Sequence, residues 1–153
     1  MKLKFSVAMS VYRSDNVSHF DRALESITTL QTVMPDEIVL VVDGPISEGL
    51  NDVIVKYQKM YDIFNVIRLP VNGGLGNALK IAVDNSEHPI IARMDSDDIS
   101  SPSRFEEQLR YFEQDTDLDI VGGDISEFVD TEENIVAYRK VPADDAEIKK
   151  YMK

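Results

Sequence analysis

Short apolar runs alternate along the chain with segments of helical periodicity, and this alternation constrains the fold more than any other feature. The runs FSVAMSV, EIVLVV, FNVIR and PIIARM predict strands at 5–11, 37–42, 64–68 and 89–94. The second run contains five consecutive β-branched or leucine residues, as expected of a strand that is buried on both faces. Strands that alternate with helices are typical of βαβ units. The sequence therefore predicts an α/β fold with three layers, in which a mainly parallel sheet lies between helices.

Apolar residues at three- and four-residue steps predict the helices. The first spans 17–32 and can be capped from Asp15, Asn16 or Ser18; its apolar face is Phe20, Ala23, Leu24, Ile27 and Leu30. A later helix begins near Pro102, with Ser100 or Ser101 as its N-cap. Between 119 and 141 two short β-rich runs flank DTEEN and predict an antiparallel hairpin, and the start of a helix follows. We expect a single domain over residues 1–153.

Charge and composition exclude several functions. The chain has 28 Asp and Glu against 16 Lys and Arg, for a formal net charge of −12, which repels phosphate backbones and anionic lipid. We expect no nucleic-acid partner. The absence of cysteine fits a reducing compartment, and no apolar stretch reaches the length of a transmembrane segment. These features predict a cytoplasmic protein, with peripheral contact to the inner face of the membrane left open.

Three carboxylates, Asp95, Asp97 and Asp98, follow the fourth predicted strand directly. The cap of the next helix explains the Ser-Ser-Pro that comes after them, but it does not explain Asp95 and Asp97, whose mutual repulsion is relieved by a cation. Asp43 and a glycine-rich turn at residues 73–76 follow two other strands. Ligands of open α/β sheets bind at the carboxyl ends of strands, so we expect these features to form one site.

The Asp-x-Asp pattern, Asp43 and Tyr12 are each a weak sign of a site when taken alone. The Asp-x-Asp pattern occurs twice more in DTDLD, at 115–119, where a solvated loop is the better interpretation. Asp43 either caps a turn or contacts a ligand, and Tyr12 either packs in the core or lines the site.

Four blocks of the chain together resemble the inverting glycosyltransferases of family 2. They are SVAMSVYR, EIVLVVDGP, NGGLGNALKIAV and RMDSDDISSPSRFEEQLRYF, in the family's order and over residues 5 to about 125. They look most like the blocks of bacterial enzymes that build capsular polysaccharide or exopolysaccharide, the amylovoran type among them. The resemblance implies the GT-A fold, the nucleotide-binding α/β sheet of such enzymes.

The resemblance also implies a role for each matched residue. Ser10 and Tyr12 line the base and ribose of the nucleotide, and Asp43 contacts uracil. The stretch from Gly74 to Lys80 forms the turn and helix start over the base. Asp95, near the ribose, and Ser96 belong to the donor-binding set, and Asp97 is the ligand of Mn²⁺ or Mg²⁺. The chain departs from the family pattern at Val42, where many members have a second acid, and at Pro45, where a serine is common.

The implied reaction transfers a sugar from a UDP-sugar to a hydroxyl of a carbohydrate or lipid-linked acceptor, with inversion, in cell-surface polysaccharide synthesis. The family takes its catalytic base from a later segment, so we expect this chain to lack the acceptor-binding half and assign no catalytic residue. A homo-oligomer is one further expectation. Two alternatives stay open: a non-catalytic nucleotide-binding module, and a sugar-phosphate nucleotidylyltransferase, whose glycine-rich motif after the first strand is replaced here by SVYRSDN.

Overall fold

The computed structural model describes residues 3–151, and the chain divides into two compact units between Glu113 and Gln114. The first unit holds a four-stranded sheet in the order β3-β2-β1-β4, in which all neighbours are parallel. Its strands are β1 Phe5–Val11, β2 Glu37–Val42, β3 Phe64–Arg68 and β4 Ile90–Met94. The predicted mainly parallel sheet is confirmed. The fourth strand begins one residue later than predicted, after Pro89, which has no N–H to donate to a strand ladder.

Helices cover both faces of this sheet. They are α1 Val17–Ile27, α2 Glu48–Met60, α3 Leu75–Asp84 and α4 Arg104–Gln114. On one face Met9 and Leu40 belong to a core cluster with residues of α1, α2 and α4, which include Leu24, Ile54 and Phe105. On the other face small side chains pack together, namely Ala8, Val39 and Val41 of the sheet and Ala78 and Ala82 of α3. Alternate residues of β1 and β2 thus point to opposite faces, and the three-layer α/β fold is confirmed.

The first helix is shorter than its apolar periodicity predicts. It ends at Ile27 rather than at residue 32, because Thr28 leaves the helical region at φ −121° and ψ −92°. The Thr28 hydroxyl donates to the carbonyl of Leu24 at 2.6 Å, which satisfies one of the last carbonyls of the helix. Leu30 consequently lies beyond the helix, 51% exposed, and does not belong to the core. At the other end Asn16 is the N-cap, and its side chain accepts the amides of Ser18 and His19.

The start of the fourth helix also differs from the prediction. The helix begins at Arg104, two residues after Pro102, and the amide of Arg104 donates to the carbonyl of Ser101. Ser100 is buried, and its hydroxyl accepts from the Gln31 side chain at 3.2 Å instead of from the helix amides, while its own amide donates to the Ser26 hydroxyl at 3.0 Å. Contacts with the last turn of α1 therefore replace the local cap that the sequence suggested.

The second unit contains the predicted hairpin and the predicted terminal helix. The strands β5 Ile125–Phe128 and β6 Ile135–Arg139 pair antiparallel, and α5 spans Asp145–Tyr151. Asp130 has a positive φ of 66° in the turn between the strands, a conformation that aspartate tolerates better than most residues. Across residues 3–151, no helix has the length and apolarity needed to cross a membrane.

Two leucines from the predicted apolar face of α1 test this core. We expect Leu24→Ala to lower the free energy of unfolding by about 2–5 kcal/mol, because its fully buried side chain would leave a cavity. Leu30→Ala is the matched control and should cost less than about 0.5 kcal/mol. Urea denaturation measures both, and equal losses would contradict the described end of the helix.

Candidate functional site

The carboxyl ends of β1, β2 and β4 lie side by side at one edge of the sheet. The parallel register aligns Val11 with Val42 and Met9 with Met94, so the chain leaves these three strands at neighbouring points. The residues that follow are Tyr12, Asp43 and Asp95, each of which the sequence placed in the candidate site. Ser10 is partly buried near the end of β1, and Tyr12 is 44% exposed, which excludes a core position for its ring.

Asp43 connects the end of β2 to the glycine-rich turn. Its carboxylate is 4% exposed and accepts the amides of Gly73 at 2.7 Å and Gly74 at 3.0 Å. The Asn72 side chain donates to the Asp43 carbonyl at 3.2 Å. Of the two roles left open by the sequence, the structure gives Asp43 that of holding a turn. Because a carboxylate has about four acceptor sites, the two amide bonds leave acceptor capacity for a ligand.

The glycine-rich turn owes its path to backbone conformations that favour glycine. Gly74 has a φ of +86° at the N-cap of α3, where an L side chain would be strained. Gly44 has the same φ, and a Cβ atom there would lie 2.7 Å from the amide nitrogen of Asn72. The two loops therefore approach each other closely. Lys80, further along α3, pairs with Asp84 four residues later and is largely exposed.

Residues 95–98, called the acidic segment below, follow β4. Asp95 pairs with Arg93 at 2.5 Å, and the Ser96 hydroxyl donates to Asp15 at 2.8 Å. Asp97 is exposed, and within residues 3–151 its carboxylate has neither a hydrogen bond nor an ion pair. Partial loss of hydration, and then the charges of Asp95 and Asp97, raise the pKa of Asp98, against the opposing effect of Arg93 and Arg104. The segment thus concentrates negative charge, and the carboxylates of Asp97 and Asp98 have no hydrogen bond or ion pair among residues 3–151.

Sequence reasoning did not identify two supports of this segment. Asp15, considered only as a helix cap, accepts both the Tyr12 amide at 3.0 Å and the Ser96 hydroxyl. Gln31 supports the chain between the acidic segment and α4. Its side chain donates to the carbonyls of Ser26 and Ser101, each at 2.7 Å. The contact of Asp15 with the Tyr12 amide could have been predicted from the sequence, because the two residues are only three positions apart. The contact with Ser96 spans 81 residues and had no local signal.

Arg104 lies against the end of β4 rather than on open surface. Its guanidinium donates to the Arg93 carbonyl at 2.9 Å and lies 5.4 Å from the ring centroid of Phe105. Burial lowers the pKa of Arg104, and Arg93 acts in the same direction, while the charge of Asp98 opposes both. The side chain thus provides a fixed positive charge beneath the acidic segment.

In the part of the chain that the structure describes, no three His, Cys, Asp or Glu side chains lie close enough to hold a metal ion by themselves. The candidate ligands are hard carboxylate oxygens, and within residues 3–151 those of Asp97 and Asp98 have neither a hydrogen bond nor an ion pair. Such a site suits a cation that takes one or two carboxylates from the protein and its other ligands from phosphate and water, as Mg²⁺ commonly does.

The family model for glycosyl transferase family 2 matches residues 6–151. The chain therefore belongs to glycosyltransferase family 2, and the resemblance drawn from its four sequence blocks is confirmed.

Two relatives and one solved structure illustrate the match. The amylovoran biosynthesis glycosyltransferase AmsE of Erwinia amylovora is 39% identical over 124 residues, which are 81% of this chain and 46% of AmsE. An Escherichia coli UDP-Gal:alpha-D-GlcNAc-diphosphoundecaprenol beta-1,3-galactosyltransferase is 35% identical over 150 residues, 98% of this chain and 54% of that enzyme. The chain spans about half the length of the relatives it matches.

The crystal structure of Staphylococcus aureus TarS in complex with UDP shares the fold. Its TM-score is 0.63 at 24% identity, over 73% of this chain and 32% of the crystallised chain, which is TarS 1-349. The likeness confirms the α/β GT-A fold expected from the sequence.

Removing the Asp43 carboxylate should loosen the glycine-rich turn. We expect Asp43→Ala to lower the free energy of unfolding by about 1–3 kcal/mol, because two amides lose their acceptor. Hydrogen exchange of the Gly73 and Gly74 amides should accelerate at the same time. Asp84→Ala, which breaks only an exposed pair on α3, is the control and should leave both properties unchanged. Equal behaviour of the two variants would contradict the role assigned to Asp43.

Proposed function

We propose that this domain binds a UDP-sugar together with Mn²⁺ or Mg²⁺ and transfers the sugar to an acceptor hydroxyl with inversion. The observation that carries this proposal is the convergence of Tyr12, Asp43 and the acidic segment at the carboxyl edge of one parallel sheet. Nucleotides bind at that edge in open α/β folds. Membership of glycosyltransferase family 2 supplies the reaction class.

The names of related proteins support the choice of donor and acceptor. The Escherichia coli relative is named for UDP-Gal and for a diphosphoundecaprenol-linked sugar, and AmsE is named for amylovoran biosynthesis. TarS, which shares the fold, has been crystallised with UDP and with UDP-GlcNAc. We infer a UDP-sugar donor and a carbohydrate or lipid-linked acceptor in cell-surface polysaccharide synthesis. Cytoplasmic location and homo-oligomer formation stay predictions.

We assign the donor-binding residues as follows. Ser10, Tyr12 and Asp43 lie at the exits of two neighbouring strands, where they would face the base and ribose. The turn at Gly74 is held by Asp43, so the helix start over the base has a fixed position. Lys80 is the weakest member of the set, because its ammonium is paired with Asp84. Asp95 and Ser96 complete the donor set.

Asp97 is the residue that we propose as the metal ligand. Its carboxylate is exposed and has no partner within residues 3–151, so no existing contact must break before it binds a cation. A diphosphate brings further negative charge beside Asp95 and Asp98, and a divalent cation supplies the counter-charge that the leaving diphosphate requires. Arg93 and Arg104, which flank the segment, are engaged by Asp95 and by the Arg93 carbonyl respectively.

Inverting transfer also requires a base near the acceptor hydroxyl, and we leave that residue unassigned. Two of the acids after residue 125 have local contacts: Asp144 accepts the Glu147 amide at 2.9 Å, and Asp145 pairs with Lys149. Membership of family 2 leaves the nucleotidylyltransferase interpretation without support. The non-catalytic module stays the alternative, and sugar transfer by the full-length gene product would exclude it.

Calorimetry with UDP tests the metal site. We expect UDP binding to require Mn²⁺ or Mg²⁺, and Asp97→Ala to weaken it by about tenfold or more because a charged ligand is lost. Asp117→Ala, in the exposed DTDLD loop, is the matched control and should bind like the unaltered chain.

Metal-independent UDP binding that persists in Asp97→Ala would contradict the proposed site. If another nucleotide bound in place of UDP, and its binding still depended on metal and on Asp97, only the predicted identity of the base would change.

A further inference from the structure

Asp15 connects two loops of the candidate site through one carboxylate oxygen. Its Oδ2 atom accepts the Tyr12 amide at 3.0 Å and the Ser96 hydroxyl at 2.8 Å. The Asp15 amide donates to the Tyr12 carbonyl at 3.1 Å, so the tight turn after β1 holds this carboxylate in place. The family resemblance gave no role to Asp15. The contact joins the turn that carries Tyr12 to the residue between Asp95 and Asp97.

The rest of the connection after β4 is fixed on either side of Asp97. Before it, Asp95 pairs with Arg93. After it, Ser100 is buried and donates to the Ser26 hydroxyl at the last turn of α1. Between these points Ser96 has the single hydroxyl of the acidic segment, and its bond to Asp15 is the side-chain contact nearest to Asp97 in sequence. Residues at both ends of α1 therefore hold the segment that carries Asp97.

We propose that Asp15 is a positioning residue, which fixes the backbone of the acidic segment through Ser96 and so holds the Asp97 carboxylate in its cation-binding position. This inference rests on the proposed function, because it assigns to Asp97 the metal that accompanies the nucleotide. The carboxylates of Asp95, Asp97 and Asp98 repel one another, and an unrestrained segment would let them separate. A hydrogen bond to a charged acceptor is stronger than a neutral one and suits this restraint.

Geometry and charge make different predictions for Asp15. If the restraint matters, Asp15→Asn keeps an oxygen that accepts the same two donors and should retain most of the binding of UDP with Mn²⁺. Asp15→Ala and Ser96→Ala should each weaken that binding by about three- to tenfold, because both remove the same bond. Ser96→Thr keeps a hydroxyl and should restore it. If Asp15 acted as a further negative charge, Asp15→Asn would be as weak as Asp15→Ala, and Ser96→Ala would have no effect.

Calorimetry of the full chain with UDP and Mn²⁺ tests the inference, with Asp21→Ala as the control. Asp21 belongs to the adjacent helix α1, and its carboxylate pairs with Lys56 rather than with the site. We expect the double variant Asp15→Ala/Ser96→Ala to bind no more weakly than Asp15→Ala alone. In an Asp97→Ala background, Asp15→Ala should cause no further loss. Additive losses, or an equal loss in the Asp97→Ala background, would overturn the inference.

Hydrogen exchange without metal or nucleotide separates this inference from the proposed function. Asp15→Ala and Ser96→Ala should accelerate exchange of the amides of residues 96–98 by about tenfold, at pH and temperature where both variants stay folded. Asp21→Ala should not. If the unaltered chain failed to bind UDP, the proposed function would be wrong. The exchange rates would still show whether the Asp15–Ser96 hydrogen bond restrains residues 96–98. Unchanged exchange in both variants would overturn the restraint whatever the binding data.

Discussion

Parallel pairing of β1 with both β2 and β4 is the constraint on which the rest of the structure depends. The ladders end within a few residues of one another, so the loops after all three strands begin at one edge. The pairing requires strands that are buried on both faces, which explains why the six residues of β2 are all buried, and why small alanines of α3 pack on one face. The chemistry of the site follows from the residues that come directly after those strands, which are Tyr12, Asp43 and Asp95.

Two aspartates hold that edge together, and a third stays free. Asp43 accepts two amides of the glycine-rich turn, and Asp15 accepts an amide and a hydroxyl from two different loops. Their negative charges are thus satisfied by donors within the protein. Asp97 has no such partner among residues 3–151, and it lies beside two further carboxylates. The arrangement concentrates unneutralised charge at one point of an otherwise hydrogen-bonded edge, which is the electrostatic requirement of a site for a divalent cation.

Most of the fold and part of the site could be predicted from the sequence, for reasons that individual residues make clear. Apolar runs predicted the four strands within one residue, and the local pattern is strongest for β2, all six residues of which are buried. The end of α1 was predicted five residues too late, since Leu30 continues the apolar spacing although Thr28 ends the helix. The site aspartates were found because they directly follow strands. The roles of Asp15, Gln31 and Ser100 were missed, because contacts across about 70–80 residues leave no periodic signal.

We propose above all that a divalent cation and a nucleotide bind together at the Asp97 carboxylate of the acidic segment. Paramagnetic broadening of backbone amide resonances by Mn²⁺, recorded with and without UDP, tests this claim most directly. The account predicts that UDP makes broadening strong at residues 95–98 and extends it to Asp43, Gly73 and Gly74. Strong broadening of residues 115–119 instead, or a pattern that UDP does not change, would contradict it.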